Sequence, residues 1–220
     1  MIEARSLSKR FGAVTALDGV TFALPEGSRT ALLGPNGAGK STLIGVLSTL
    51  LSPSGGEALI DGLDVATGGD ALRSAIGVTT HRPMLYEELS PLENLSFFAR
   101  LYGVEDGRAR VEQLLRAVGL WLRRDEPVES LSRGYHQRLA MARAVVHRPR
   151  VLLLDEPETG LDEEALGLLD EMMLRAPAVT VLAATHRADR VERWAGGMLV
   201  LERGRLVEEA AAAPALRAVQ

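Results

Sequence analysis

The chain has 220 residues, 46% hydrophobic and 25% charged, a composition that excludes collagen-like, disordered and coiled-coil classes. Its 25 basic and 29 acidic residues give a net charge of −4, without the basic excess typical of nucleic-acid binding. Cysteine is absent, which excludes a disulfide scaffold and cysteine-ligated zinc. No apolar run approaches the roughly 18 residues of a membrane span, and the charged N-terminus does not resemble a signal peptide. We therefore expect a soluble, cytoplasmic protein.

The N-terminal part of the chain is predicted to be mostly strands. Period-two alternation indicates short strands at 2–7 and 20–24, and the compact apolar run 30–33 is typical of a buried parallel strand. Apolar residues at helical spacing then predict a helix over 41–51. A strand at 57–60 enters a hairpin turn formed by Asp61 and Gly62.

The rest of the chain alternates between helices and strands after a long helical stretch. A helical pattern over 91–120 breaks at Gly103 and at 106–107. Further elements are predicted in the order helix 135–147, strand 151–154, helix 163–174, strand 179–183, helix 189–194, strand 198–201 and a closing hairpin at 203–205. This alternation predicts a single α/β domain over 1–220, with a helical subdomain at about 84–147 inserted into a core of parallel strands.

A glycine-rich segment between the buried strand and the first helix fits the G-x-x-x-x-G-K-[ST] phosphate loop. It reads Gly34-Pro35-Asn36-Gly37-Ala38-Gly39-Lys40-Ser41-Thr42. Glycines let backbone N–H groups wrap a polyphosphate at the positive end of a helix. Lys40 is expected to reach the β- and γ-phosphates, and the Ser41 hydroxyl to ligate Mg²⁺. The alternative is a glycine-rich turn that only resembles the motif.

Two carboxylates follow the aliphatic run 151–154, namely Asp155 and Glu156. Ligands bind at the carboxyl ends of parallel strands in open α/β sheets. We expect Asp155 to belong to the Mg²⁺ shell and Glu156 to orient or deprotonate an attacking water. The alternative is a strand that ends in a solvated acidic turn.

A third motif makes a family resemblance specific. The segment Leu131-Ser132-Arg133-Gly134-Tyr135-His136-Gln137-Arg138-Leu139 resembles the LSGGQ signature of ATP-binding cassette (ABC) ATPases. The order of motifs also resembles that family, because the acidic strand is followed by Gly160-Leu161-Asp162, like its D-loop, and by Thr185-His186, like its switch histidine. The resemblance covers nearly the whole chain.

The resemblance implies a P-loop NTPase core with a mostly parallel sheet, an N-terminal antiparallel β subdomain and an inserted helical subdomain. It implies ATP and Mg²⁺ as cofactors, with Lys40, Glu156 and His186 in catalysis. Ser132 and Gly134 would receive phosphate oxygens in trans, so two chains would form a homodimer or heterodimer. Without the other motifs, Ser132 would be interpreted as an ordinary helix N-cap.

Phe11 would stack on adenine, although a core aromatic is an equal alternative for this residue. His186 would bond the γ-phosphate through one ring nitrogen. The family further implies a transmembrane permease as partner and a cytoplasmic position on the inner face of the cell membrane. Nucleic acid is not expected as a partner.

The chain departs from the family pattern at three positions. Arg133 and Tyr135 replace a glycine and a glutamine of the signature, and His81 stands where the family has its Q-loop glutamine. Because Mg²⁺ prefers oxygen ligands, His81 is expected to bond a water of the metal shell or only to transmit motion. A loop histidine without a role is the alternative.

The stretch from His81 to Leu95 resembles the haem-exporter ATPases of cytochrome c maturation, so haem export is one predicted function. Exporters of drugs, polysaccharide or lipid are similar enough to remain alternatives. ABC ATPases that act on DNA or ribosomes usually have tandem cassettes, long inserts or a basic surface. A small-molecule kinase or GTPase would share the phosphate loop but not the signature or Thr185-His186.

Overall fold

The computed structural model describes residues 1–161, 163, 165–167, 169 and 179–211. The strands are β1 (Ile2–Phe11), β2 (Val14–Leu24), β3 (Arg29–Leu33), β4 (Gly55–Ile60), β5 (Leu63–Asp64), β6 (Ile76–Thr79), β7 (Val151–Asp155), β8 (Thr180–Ala184), β9 (Gly197–Glu202) and β10 (Arg205–Ala211). The helices are α1 (Lys40–Leu47), α2 (Gly69–Ala75), α3 (Pro91–Leu101), α4 (Gly107–Ala117), α5 (Arg133–Val145) and α6 (Ala188–Trp194). Short 3₁₀ turns lie at Trp121–Arg123 and Val128–Ser130.

The first sheet is antiparallel and has the strand order β2-β1-β4-β5. The predicted strands 2–7 and 20–24 were too short. Strand β1 continues beyond residue 7 to Phe11, and strand β2 begins before residue 20, at Val14. Register shifts after Ala4 and after Leu7 interrupt the pairing, and Ser6 has a φ of 49°. Such bulges break period-two alternation, which explains the early end of the predicted strand. The predicted hairpin at 61–62 is confirmed by the pairing of β4 with β5.

The second sheet has the order β10-β9-β3-β8-β7-β6, and all its pairs are parallel except β9 with β10. This arrangement confirms the predicted α/β fold with a mostly parallel sheet and an antiparallel β subdomain. Strands β3, β7 and β8 lie side by side, so their carboxyl ends meet at one edge of the sheet. That edge therefore collects the phosphate loop, the acidic pair and the segment that contains His186.

Three hydrophobic clusters stabilise this arrangement. The first joins the antiparallel sheet, α1 and one face of the parallel sheet, and the third covers part of the other face. The buried members of the second cluster run from Leu95 to Val146 and bring α3, α4 and α5 together. Helix α3 begins with a capping box in which Ser90 and Glu93 bond each other's backbone N–H groups. The break predicted within 91–120 is confirmed by the separation of α3 from α4.

Some predicted elements need correction. The helix predicted over 41–51 ends at Leu47, where Thr49 adopts a φ of 65° and the Leu51 side chain folds back onto Gly45. Helix α2 was not predicted at all. Of the helix predicted over 163–174, the described positions 163, 165–167 and 169 are helical, and the others lie outside the described residues. Within the described ranges, we find no helix with the length and apolar character that a membrane crossing requires.

Candidate functional site

The phosphate-loop segment connects β3 to α1 and depends on glycine at two tight positions. Gly34 has a φ of 143°, and a Cβ there would overlap the carbonyl oxygen of Leu201. Gly39 has a φ of 108°, and its Cβ would lie 2.6 Å from the carbonyl oxygen of Ala16. Only glycine fits these positions without strain, because both the backbone angle and the space exclude a side chain. The loop is thereby packed against β2 and β9.

The centre of this loop is open, whereas its lysine is held inside. Asn36 and Gly37 are exposed, and Gly37 has a φ of 80°. Ala38 is buried, and its carbonyl accepts a hydrogen bond from the backbone N–H of Gly204. Lys40 is only 6% exposed, and its Nζ donates to the carbonyl oxygens of residues 34 and 35 at 2.7 and 3.2 Å. The ammonium group thus lies across the loop, where it can exchange these carbonyls for phosphate oxygens.

A direct contact joins the phosphate loop to the acidic strand end. The Ser41 hydroxyl donates to Oδ1 of Asp155 at 3.0 Å, across 114 positions of sequence. Asp155 is buried at the end of β7. Burial raises the pKa of the Asp155 carboxyl, although the Ser41 hydrogen bond and the charge of His81 act in the opposite direction. Because burial destabilises the charged form of this carboxyl group, a cation bound next to it would stabilise the carboxylate.

Glu156 and His186 are also brought together at this edge. The backbone N–H of Glu156 donates to the carbonyl of Ala184 at 2.9 Å, which extends the pairing of β7 with β8 by one residue. Glu156 has a φ of 49°, a left-handed conformation that non-glycine residues rarely adopt. Its Oε1 lies 3.9 Å from Nδ1 of His186, whose side chain is half exposed. The Thr159 hydroxyl lies 3.5 Å from the other carboxylate oxygen.

A cleft of about 500 Å³ separates the acidic pair from the start of α5. On one side it is lined by Thr80, His81, Pro83, Asp155, Glu156 and Thr159, and on the other by Arg133, His136 and Gln137. Nε2 of His81 lies 3.8 Å from Oδ2 of Asp155. The Q-loop position therefore lies next to the carboxylate, although beyond hydrogen-bond distance.

The signature segment begins α5 with an exposed serine. Ser132 occupies the N-cap position, but its side chain makes no capping hydrogen bond and is exposed. The Arg133 side chain lies against Gly160, with Cδ 3.3 Å from where a Cβ of that glycine would be. Gly134 is half-buried. The bulky Arg133 is thus directed toward the segment after β7, and it leaves the N-terminus of α5 open.

The other signature departure and Phe11 have different surroundings. Tyr135 packs against the second hydrophobic cluster, with its ring 5.4 Å from the guanidinium of Arg123. Phe11 is 47% exposed, so the alternative of a core aromatic does not hold. Phe11 pairs with Val14 of β2. Two residues further along β2, the carbonyl of Ala16 packs against Gly39 of the phosphate loop. Phe11 therefore lies near the rim of the site, on the same stretch of sheet.

Sequence reasoning missed several polar contacts that support the site. The buried Thr185 hydroxyl donates to the carboxylate of Glu158 and accepts from the backbone N–H of Arg187. Nε2 of Gln137 donates to the carbonyl of Pro157 at 3.0 Å. No local pattern marks Glu158 or Gln137 as partners, because each lies at least 20 positions from the group it bonds. The D-loop aspartate, Asp162, lies outside the described residues.

Comparison with known proteins identifies the family. A family model described as "ABC transporter" matches residues 17–159, which is more than half of the chain. The chain belongs to the ABC transporter family and is an ATPase domain of that family. Among solved structures, an ATP-binding subunit of an ABC transporter is 32% identical, with a TM-score of 0.90 over 96% of this chain and 90% of the other. A dimeric ATP-binding cassette in a post-hydrolysis state with ADP and Pi is 27% identical, with a TM-score of 0.85 over 96% and 98%.

Curated relatives are export and resistance proteins by name. The daunorubicin resistance ATP-binding protein DrrA2 of Streptomyces coeruleorubidus is 38% identical over 94% of this chain and 66% of its own length. The Nod factor export ATP-binding protein I of Burkholderia orbicola is 37% identical over 96% and 70%. The probable multidrug ABC transporter ATP-binding protein YbhF of Escherichia coli is 37% identical over 94% and 36%. The chain thus spans from about a third to about 70% of the length of these relatives.

Proposed function

We propose that this chain binds and hydrolyses ATP between two cassettes to drive export through a separate transmembrane permease. The observation that carries the proposal is the Ser41–Asp155 hydrogen bond, which joins the phosphate loop to the acidic strand end beside Glu156. A candidate phosphate cradle, a candidate metal-binding pair and a candidate base thus share one edge of the sheet. This combination is what phosphoryl transfer to water requires.

The nucleotide would be held by the phosphate loop, with backbone N–H groups around the phosphates and Lys40 on the β- and γ-phosphates. In the part of the chain that the structure describes, no three His, Asp or Glu side chains converge on one point. Mg²⁺ does not need such a cage, because it is usually held by one or two protein oxygens and by the phosphates. Ser41 and Asp155 fit that role. When bound, the ion neutralises charge that develops on the phosphates.

Glu156 would hold the attacking water and accept its proton, since it follows Asp155 directly and its carboxylate faces His186. His186 would donate a hydrogen bond to the γ-phosphate. Lys40 would stabilise the charge of the transition state, and this electrostatic contribution is usually the largest. Phe11, exposed near the rim, would stack on the adenine ring.

Ser132 and Gly134 would act on the nucleotide of a second chain. The exposed hydroxyl and the uncapped N-terminus of α5 support this role, because both leave donors free for phosphate oxygens. The dimeric cassette with ADP and Pi is a structural precedent for paired chains. We do not expect nucleic acid as a partner, because the net charge is −4.

A complementation experiment tests the composite site. Ser132→Arg blocks the signature face and Lys40→Ala removes the phosphate-loop cation, so each variant alone should be inactive. A mixture of the two forms heterodimers with one intact pair of surfaces, and partial ATPase activity should return. Ser132→Ala, which keeps the shape of the N-cap region, is the matched control for bulk. Activity of the mixture no greater than the sum of the separate variants would contradict action in trans.

The permease would dock on the inserted helical subdomain and on the loop that follows β6. A groove of about 140 Å³ lies there, lined on one side by Met84, Phe98 and Tyr102 and on the other by residues after α1. Through this attachment the chain would be peripheral on the inner face of the cell membrane. Purification of the native complex tests the attachment, since a membrane protein should co-purify. A ribosomal protein or DNA in its place would contradict the proposal.

We propose a drug-like compound as the cargo class. The names of the daunorubicin resistance and multidrug relatives support this choice, and the relatives named above do not include a haem exporter. Haem export in cytochrome c maturation stays a second candidate that rests on the resemblance of residues 81–95. Deletion strains separate the two, because loss of drug export raises sensitivity to the drug, whereas loss of haem export abolishes c-type cytochromes.

A further inference from the structure

One face of helix α5 runs along the end of β7. Arg133, Gln137 and Met141 are spaced four residues apart, so they lie on the same side of this helix. Met141 is buried and belongs to the third hydrophobic cluster, together with Leu152 and Leu154 of β7. This packing fixes the position of α5 against the sheet. The other two side chains are thereby held over the segment that follows β7.

The first turn of α5 contacts the segment after β7 at two points. Nε2 of Gln137 donates a hydrogen bond to the carbonyl oxygen of Pro157 at 3.0 Å. Three residues further on, the Arg133 side chain lies against Gly160, and a Cβ on Gly134 would lie 3.4 Å from the Gly160 carbonyl oxygen. The contact of Gln137 is directional, whereas the contacts at Gly160 are packing contacts.

The carbonyl of Pro157 needs this donor. Pro157 is buried, and proline has no backbone N–H, so the carbonyl is its one backbone polar group. A buried carbonyl that loses its donor costs free energy until the chain moves it to water or to another donor. Gln137 therefore fixes the orientation of the peptide group between Pro157 and Glu158.

The residue before Pro157 is Glu156, the candidate base. Its φ of 49° is unfavourable, and such a conformation persists only where neighbouring contacts hold it. The N–H of Glu156 donates to the Ala184 carbonyl, and its own carbonyl accepts from the Thr159 N–H at 3.1 Å. The Gln137 bond holds the chain immediately after Glu156, so a shift of Pro157 would turn the Glu156 side chain. Displacement of a reacting group by about 1 Å can lower a rate about 100-fold.

We propose that Gln137 is a positioning residue for hydrolysis, which orients the Glu156 carboxylate toward the attacking water by holding the Pro157 carbonyl. The proposal rests on the role of Glu156 as base under the proposed function. In this role Gln137 does not contact the reacting atoms. It acts on the turnover step and leaves the binding of ATP to the phosphate loop unchanged.

Gln137→Met tests this role, because methionine keeps the length of the side chain and removes the donor. Turnover at saturating ATP should fall about tenfold, while the dissociation constant for ATP stays within about twofold of the wild-type value. Gln113→Met is the matched control, since Gln113 is exposed on α4 and bonds to Arg110. The control should keep wild-type turnover. Wild-type turnover in Gln137→Met, or weaker ATP binding in place of the slower turnover, would overturn the proposal.

A double-mutant cycle shows whether Gln137 acts through Glu156. In the Glu156→Gln background the carboxylate is already lost, so adding Gln137→Met should slow single-turnover hydrolysis by no more than about twofold. An equal loss of about tenfold in both backgrounds would mean that Gln137 acts independently of Glu156, and would overturn the proposal. Wild-type turnover in Glu156→Gln alone would instead refute the base of the proposed function, and the positioning role with it.

Discussion

Glu156 combines a proposed catalytic role with an unfavourable backbone conformation, so replacement by glycine should raise stability while it lowers activity. Its φ of 49° lies in the left-handed region. Glu156→Gly relieves that strain and removes the side chain. Glu156→Gln keeps the strain and removes only the charge. The two variants together separate the contribution of the backbone from that of the carboxylate.

The size of the stability change follows from the conformation. A left-handed non-glycine residue costs about 1–2 kcal/mol, and the greater freedom of glycine in the unfolded chain offsets about 0.5–1 kcal/mol of this. Removal of the side chain costs little stability, since its contacts with Thr159 and His186 are 3.5 and 3.9 Å long. Glu156→Gly should therefore be about 0.5–1 kcal/mol more stable than Glu156→Gln. In a chain of this length, that difference raises the melting temperature by about 1–4 °C.

The assay is thermal unfolding without nucleotide, alongside steady-state ATP hydrolysis. Both Glu156 variants should lose about 10²–10⁴-fold in turnover, as expected for a lost general base. Arg203→Gly is the matched control, because Arg203 has a φ of 48° in the exposed turn between β9 and β10. It should gain similar stability with turnover unchanged. If Arg203→Gly is stabilised and Glu156→Gly melts at or below Glu156→Gln, the argument for strain at Glu156 is refuted.

Two further predictions concern the same edge of the sheet. Burial raises the pKa of Asp155, so its contribution to stability is present at low pH and is lost as pH rises through the folded-state pKa. Asp155→Asn should thus raise the melting temperature of the nucleotide-free protein at pH 7, with a smaller gain near pH 4; equal gains would contradict this. Gly34→Ala should weaken ATP binding, measured by titration calorimetry, and lower the melting temperature, because its Cβ would overlap the Leu201 carbonyl. Wild-type values for Gly34→Ala would exclude the described loop path.

The strands of the parallel sheet could be predicted closely because they are buried on both faces. The run 151–154 is wholly aliphatic and the run 179–183 has Thr180 as its one polar residue. Strands β7 and β8 begin and end within one residue of these runs. The antiparallel sheet was harder, since the bulges around Ser6 shift the pattern of buried side chains along β1. Helix α2 has seven residues and few buried side chains, which leaves a weak periodic pattern.

The motifs of the site could be predicted because each is contiguous in sequence, but their connections could not. The phosphate loop and the acidic pair were found from local patterns alone. The packing of Arg133 on Gly160 and the bond between Thr185 and Glu158 depend on how distant segments meet in space. The closeness of His81 to Asp155 depends on the parallel pairing of β6 with β7. Single-sequence patterns carry no such information.

The most direct test of the account is the behaviour of Glu156→Gln with Mg²⁺ and ATP. Size-exclusion chromatography with light scattering measures the mass of the particle, and the nucleotide in each peak is quantified. We predict a dimer that holds unhydrolysed ATP, with Lys40→Ala in the same background remaining monomeric because it cannot hold the phosphates. A monomer that binds ATP and turns it over at the wild-type rate would contradict the proposed base and the composite site together.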